Sequence, residues 1–137
     1  MFVLGTAVVE VLEWIGYVLA ALLCLMFIIV VHEFGHYAAG KIFKFKINEF
    51  SIGFGPAIIK HTNKKTGELF AVRCIPLGGY CAFDGEDEEG KSEPCEGSYY
   101  SKPPWQRIIV LLSGALFNFI SSIIVIAVFF MAFGDVL

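Results

Sequence analysis

Two uncharged apolar runs constrain this chain more strongly than any other feature of its sequence. Residues 14–31 contain no charged side chain, and neither do residues 108–133. An α-helix rises about 1.5 Å per residue, so about 20 apolar residues cross the hydrocarbon core of a bilayer. Hydrophobic residues make up 57% of the chain, which is too apolar for an ordinary soluble domain. The sequence therefore predicts an α-helical membrane protein with two transmembrane helices.

The distribution of charge predicts how these helices are oriented. All ten Lys and Arg residues lie within residues 41–107, and both runs are free of them. Basic loops stay on the cytoplasmic side, so the 42–106 segment is expected in the cytoplasm and both termini on the opposite face. The helices would then be antiparallel. A cleaved signal peptide is the alternative for the first run, but Glu10 and Glu13, rather than basic residues, precede it.

The stretch between the two runs changes from β-prone to acidic. Residues 47–59 alternate in character, and residues 69–77 are a second β-prone run after the polar turn at 61–68, which predicts a β-hairpin. Residues 84–96 carry seven Asp or Glu, typical of a solvated loop. Because acids are mixed with the basic residues, no nucleic-acid partner is expected. The predicted regions are 1–41 (first transmembrane helix), 42–82 (membrane-associated hairpin), 83–104 (cytoplasmic acidic and Pro-containing loop) and 105–137 (second transmembrane helix).

His32, Glu33 and His36 form an H-E-x-x-H motif directly after the first run. Residues four apart share a helix face, so both imidazoles can reach one metal ion. Glu33 can take a proton from metal-bound water, as in zinc metalloproteases. A chance pair of histidines is disfavoured, because an ionisable residue at membrane depth costs on the order of 2.5–3.5 kcal/mol. The motif predicts a zinc site, although imidazoles suit several transition metals.

A third metal ligand is not evident in the sequence. A catalytic zinc typically takes three protein ligands and leaves one position for water. The remaining candidates, His61, Asp84 and Asp135, are not placed near the motif by the predicted topology, and each is expected to be an ordinary surface residue. The four cysteines show no C-x-x-C spacing and are expected to be reduced thiols.

Polar and small residues in the hairpin and the second run are candidates for substrate contact. An exposed hairpin edge could hold an extended peptide by strand addition, or the hairpin could simply pack on the helices, and both remain open. Asn118 could donate to a substrate carbonyl or oxyanion, or bond a neighbouring helix. Neighbour-helix bonds are the expectation for the serines, which are Ser113, Ser121 and Ser122. Glycines that mark bends or close backbone approach are Gly53, Gly55, Gly78 and Gly79.

Several motifs together resemble one known family. His-Glu-Phe-Gly-His at 32–36 is similar to the site-2 protease family of intramembrane zinc metalloproteases. Phe-Ser-Ile-Gly-Phe-Gly-Pro at 50–56 and Ile-Pro-Leu-Gly-Gly-Tyr at 75–80 resemble elements of its bacterial branch, the regulator-of-sigma-E proteases. Trp-Gln-Arg at 105–107, followed by a G-x-x-x-N motif within 113–119, resembles that branch's second helix. The resemblance runs in matching order from about residue 11 to 133.

This resemblance implies a fold and an activity. The hairpin would be a membrane-reentrant sheet that presents substrate, and Asn118 would face the catalytic centre. Substrate binding is thus expected at Asn118 and at the four glycines named above. Family members cut transmembrane segments, often of single-pass anti-sigma factors, in regulated intramembrane proteolysis, so a multi-pass protein of the bacterial inner membrane is expected.

Two features of the family have no match in the sequence. The family's third ligand is an Asp in a later helix, within an Asn-x-x-Pro-type motif that ends in Asp-Gly, and the branch carries PDZ domains before that helix. We therefore expect an N-terminal portion of a longer protein, or a truncated relative, with the third ligand and PDZ domains in a missing C-terminal half. Tyr80-Cys81 also replaces the usual Tyr-Val.

The sequence thus predicts the N-terminal half of an intramembrane zinc endopeptidase. His32 and His36 would bind zinc, and Glu33 would be the general base. This chain alone is expected to be inactive. The alternative is a non-catalytic membrane module that binds a partner helix, which the unmatched third ligand motivates.

Overall fold

Two long helices frame the protein. The structure is a computed structural model that describes residues 2–86 and 95–134, with side chains from residue 8 onward. Helix α1 is Phe2–Ile42 and helix α2 is Pro104–Phe133. Both are long and apolar enough to cross a membrane by length and composition, and neither apolar window is buried inside the protein. The prediction of two such helices is confirmed.

The helices run antiparallel. His36 of α1 contacts Val110 of α2, and His32, one turn earlier in α1, contacts Asn118, later in α2. As residue numbers increase along α1, the residue numbers of the contact partners on α2 decrease, which is the pattern of antiparallel helices. Gly35 allows the close approach, because a Cβ built there would lie 2.5 Å from the carbonyl oxygen of Ser113. Small residues let helix backbones meet in this way.

Strands β1 (Ile47–Thr62) and β2 (Leu69–Phe83) form an antiparallel pair between the helices. The pairing is richer than that of a simple hairpin. Residues 49–52 pair on one side with residues 79–82, with numbers running in opposite directions. On their other side, residues 49–52 pair with residues 69–72, and here the residue numbers of both segments increase in the same direction. Residues 69–72 pair in turn with residues 59–62. Four short strand segments therefore lie in the spatial order 59–62, 69–72, 49–52 and 79–82.

Both strands bend sharply to make this double pairing. Gly53 and Gly55 have positive φ angles of 88° and 82°, which side chains other than glycine rarely adopt. Gly78, in the second bend, lies under the ring of Phe54, where a Cβ would collide with that ring. In a straight hairpin, segment 49–52 could not lie between two partner segments. The bends therefore determine the order of the segments in the sheet. The turn joining β1 and β2 is closed by Asn63 N–H donating to the Glu68 carbonyl at 2.9 Å.

A small aromatic core joins the sheet to the ends of the helices. Phe45 lies 5.5 Å from Phe83 and 5.8 Å from Tyr99, measured between ring centroids. Tyr99 begins a short 3-10 helix, Tyr99–Ser101, just before α2. Val110 of α2 is fully buried in the same cluster. This core sets the sheet beside the C-terminal half of α1, where the H-E-x-x-H motif lies.

Candidate metal centre

His32 and His36 lie on one face of α1, as their spacing predicts. Their ring centroids are 4.8 Å apart, and the ring planes are nearly perpendicular at 82°. Both side chains are half-buried against α2. The two imidazoles are therefore adjacent and enclosed on the side that faces the second helix.

Gly114 of α2 lies directly opposite the two rings. A Cβ built on Gly114 would be 2.5 Å from Nε2 of His36 and 2.7 Å from Nε2 of His32. Both Nε2 atoms thus converge on one point beside the glycine backbone. Zinc–imidazole distances are about 2.0–2.1 Å, so the space that glycine leaves open is of the size an ion shared by these nitrogens needs. The histidine pair fits two ligands of a metal site.

The other ring nitrogen of His36 is engaged by α2. Nδ1 lies 2.8 Å from the backbone carbonyl oxygen of Val110, which can only accept a hydrogen bond. Nδ1 must therefore carry the proton and donate it. In the neutral ring this leaves the lone pair on Nε2, the nitrogen that faces Gly114. The fold selects the tautomer of His36 that is able to bind a metal.

Asn118 contacts Nδ1 of His32, as the Val110 carbonyl contacts Nδ1 of His36. Its amide lies 3.3 Å from Nδ1 of His32, placed with Nδ2 toward the ring. In that placement the amide oxygen is buried and has no hydrogen-bond partner within the described part of the chain. Rotating the amide by about 180° lets the oxygen accept a proton from Nδ1 and leaves Nε2 of His32 free for a metal. The same rotation gives the buried oxygen a hydrogen-bond partner and gives His32 the tautomer that can bind a metal.

The side chain of Glu33 lies next to the sheet. A Cβ built on Gly79 would be 3.1 Å from Cγ of Glu33 and 2.9 Å from the carbonyl oxygen of Ser51. Gly79 therefore lets segment 79–82 pass close to the glutamate. Cys81 follows on the same segment, and burial raises the pKa of its thiol to about 12, with the charge of Glu33 adding to the shift. Cys81 is thus a neutral thiol near the motif.

The leftover candidates for a third ligand lie elsewhere. His61 is exposed near the end of β1, where it pairs with Phe70. Asp84 forms an ion pair with Lys46 at 3.2 Å and accepts a hydrogen bond from Asn48. Asp135 lies outside the described residues. Across residues 2–86 and 95–134, no group of three His, Cys, Asp or Glu side chains could hold a metal ion.

The three serines of α2 bond their own helix. The hydroxyl of Ser113 donates to the carbonyl of Val110, that of Ser121 to Asn118 and that of Ser122 to Phe119, at 2.5, 2.9 and 2.7 Å. Each bond reaches back three residues along α2, a local pattern common for serine in helices. The structure thus differs from the expected bonds to a neighbouring helix. Beside Ser121 and Asn118, an apolar cleft of about 600 Å³ separates the two helices.

The comparisons with known proteins decide the family. A sequence model described as Peptidase family M50 matches residues 20–136, most of the chain. The chain belongs to peptidase family M50. The predicted resemblance to site-2 proteases, which form this family, is confirmed.

Relatives of this M50 chain have consistent names. A Helicobacter pylori protein named "Putative zinc metalloprotease" is 42% identical over 85% of the chain and 33% of its own length. A Thermotoga maritima protein of the same name is 41% identical over 73% of the chain and 20% of its length. One from Fusobacterium nucleatum is 40% identical over 80% and 31%. The chain thus spans a third or less of the length of these relatives.

Sequence reasoning missed three residues of this M50 chain whose contacts the structure shows. Val110 acts through its carbonyl group, which no side-chain pattern reveals. Gly114 was noted only as part of a G-x-x-x-N motif, although its spacing of four from Asn118 puts both on the α2 face that meets the histidines. Arg73, which makes four hydrogen bonds within the sheet, has no sequence pattern that reveals it, because its partners are scattered between residues 49 and 80.

Proposed function

We propose that the whole protein is an intramembrane zinc metalloendopeptidase, to which this chain contributes two metal ligands and the general base. The observation that carries the proposal is the convergence of Nε2 of His32 and of His36 on the space beside Gly114. Membership of family M50 and the zinc metalloprotease names of the relatives support it.

Each residue of the proposed site would have its own role. His32 and His36 hold the metal through Nε2, while Asn118 and the Val110 carbonyl keep each Nδ1 protonated. When bound, zinc would supply Lewis-acid catalysis and a nucleophilic water at neutral pH. Glu33 would accept the proton of the attacking water and later pass it to the leaving amine. The third ligand would come from outside the described residues.

Substrate would be held on the sheet. Helical peptide bonds are shielded by their own hydrogen bonds, so a transmembrane substrate must be extended before it is cut. Segment 79–82 lies at one edge of the four segments and next to Glu33. An extended peptide added to this edge would bring its carbonyl groups toward the motif. In this proposal Gly53, Gly55 and Gly78 shape the bends, and Gly79 keeps the edge close to the base.

The proposed setting is a bilayer. Large apolar side chains along both helices are exposed, for example Trp14 at 70% and Met131 at 79%. Such surfaces fit a protein with lipid around it. The ten basic residues within 41–107 favour the cytoplasmic side for residues 42–106. The proposed substrates are single-pass membrane proteins of the anti-sigma-factor type, cut in regulated intramembrane proteolysis at the bacterial inner membrane. PDZ domains and the third ligand are proposed for the part of the protein outside this chain.

The test of the proposal is Glu33→Gln in the whole protein reconstituted in lipid. Cleavage of a single-pass substrate should be lost, because an amide cannot accept the proton, while zinc content stays at the wild-type level. Glu13→Gln is the matched control, since this glutamate is exposed on the same helix and should leave cleavage unchanged. Cleavage at the wild-type rate by the Glu33→Gln enzyme would rule out the assignment of the base.

A second candidate, a non-catalytic module that binds a partner helix, is favoured by the two-ligand set among the described residues. Cleavage of a single-pass substrate by the whole protein would exclude this candidate, and zinc titration of the isolated chain tests whether the two histidines suffice as ligands. Two imidazoles alone should bind zinc weakly. A tight one-to-one complex would show that no further ligand is needed.

A further inference from the structure

Arg73 is the most highly connected side chain of the sheet. Its Nε donates to the hydroxyl of Ser51 at 2.8 Å, and its Nη1 donates to the carbonyl of Gly55 at 2.7 Å. Its Nη2 donates to the carboxylate of Glu49 at 2.6 Å and to the hydroxyl of Tyr80 at 2.8 Å. One guanidinium group therefore makes four hydrogen bonds within the described part of the chain.

These partners belong to different parts of the fold. Glu49 and Ser51 lie in the central segment, Gly55 lies in the first bend, and Tyr80 lies in the edge segment. The guanidinium group also lies 5.6 Å from the ring centroid of Tyr80, a cation–π distance. Arg73 follows segment 69–72, so it ties together three of the four segments and one bend.

The cluster is enclosed but electrically balanced. Ser51 is fully buried, and the side chains of Arg73 and Glu49 are 20% and 19% exposed. Burial pushes the pKa of Glu49 upward, but hydrogen bonds from Arg73 and Tyr80 and the charge of Arg73 outweigh it, so this pKa lies below its ordinary value. A buried charge of either sign alone would be costly, so the two are retained as a pair.

The edge segment connects this cluster to the motif. Tyr80 is held by Arg73, and its neighbour Gly79 lies against Glu33. We propose that Arg73 is a positioning residue that holds the first bend and the 79–82 edge at the distance from Glu33 that an extended substrate requires. This inference rests on the proposed protease function. It assigns to Arg73 a role in presenting substrate, with no contact to the reacting atoms.

The decisive experiment separates positioning from charge neutralisation. In the whole protein in lipid, Arg73→Gln leaves Glu49 unpaired, whereas Arg73→Gln with Glu49→Gln removes both charges together. If Arg73 only neutralises Glu49, the double variant should recover wild-type kcat/KM. If Arg73 positions the edge, the double variant should fold and keep its zinc content but lose at least about tenfold in kcat/KM, mainly through KM. Recovery of wild-type kcat/KM by the double variant would overturn the inference.

Two further variants keep the test informative. Tyr80→Phe removes the hydroxyl that bonds Arg73 and Glu49 and keeps the ring, so it should fold if the double variant does not. We expect kcat/KM to fall several-fold, and a wild-type value would overturn the proposed link to the edge. Lys65→Gln removes one positive charge from the exposed turn of the same sheet and should leave cleavage unchanged. Failure of the underlying protease proposal is recognised separately, because the wild-type protein would then not cleave the substrate, or Glu33→Gln would cleave it at the wild-type rate.

Discussion

Gly114→Ala should weaken metal binding strongly without removing any ligand. The added methyl carbon would be 2.5 Å from Nε2 of His36 and 2.7 Å from Nε2 of His32, whereas ordinary contacts begin at 3.4 Å. Each ring would have to retreat by roughly 0.7–0.9 Å, and a metal ion would compete with the methyl group for the same space. Loss of supporting contacts alone costs 10–100-fold in metal affinity, so we expect at least about 100-fold, or about 2.7 kcal/mol.

The assay is zinc content together with a competitive zinc titration of the whole protein in detergent. Gly16→Ala is the matched control, because a Cβ at Gly16 meets nothing within 4 Å. That control should keep full affinity and stabilise α1 by up to about 1 kcal/mol.

A general packing defect is distinguished by Gly35→Ala. This change presses on the α2 backbone at Ser113 and Gly114 rather than on the imidazole nitrogens. It should lower the melting temperature and leave the space between the two Nε2 atoms open. Wild-type zinc affinity in folded Gly114→Ala protein would refute the argument that both nitrogens share one ion beside this glycine.

Three other changes test neighbouring features. Gly79→Ala should slow cleavage at unchanged zinc content, because the methyl group meets the Ser51 carbonyl at 2.9 Å and pushes the edge from Glu33; wild-type turnover would contradict this. Asn118→Leu should weaken zinc binding about 10–100-fold, because it removes the acceptor for Nδ1–H of His32. Asn118→Asp keeps an acceptor oxygen and should bind zinc as the wild type does. Equal zinc affinities of the two variants in a titration would count against that acceptor role. The carboxyl of Glu49 has a lowered pKa in the folded protein, so its stabilising effect is complete above about pH 4.3 and disappears as pH falls through the lower folded value. Melting temperatures of wild type and Glu49→Gln should therefore converge in acid, and a constant gap would disprove the linkage.

The helices and the histidine pair could be predicted from sequence because both follow from local rules. An uncharged run long enough for a bilayer indicates a transmembrane helix, as at residues 14–31. The spacing of four between His32 and His36 places both on one helix face whatever the rest of the fold does. The family also follows from short motifs in order, which need no knowledge of tertiary contacts.

The sheet and the supporting residues could be predicted only in outline. A hairpin was expected from two β-prone runs, but the double pairing of segment 49–52 depends on bends at Gly53 and Gly78 that bring distant segments together. Arg73 and Gly114 have roles set entirely by such long-range approach. The substrate-contact roles expected for the glycines and Asn118 stay predictions, and so do the roles of Glu33 and both histidines.

The bond between His36 and the Val110 carbonyl joins residues 74 positions apart in the chain. During synthesis, α1 emerges well before α2, and its histidines then have no partner that chooses between their two neutral tautomers. The arrival of α2 supplies that choice for His36, through a backbone carbonyl, and closes the space beside Gly114. In the proposed protease, metal capture would thereby be postponed until the second helix has paired with the first. Such a protease would acquire its ion only after the two helices have assembled, and would be inert while it is still being made.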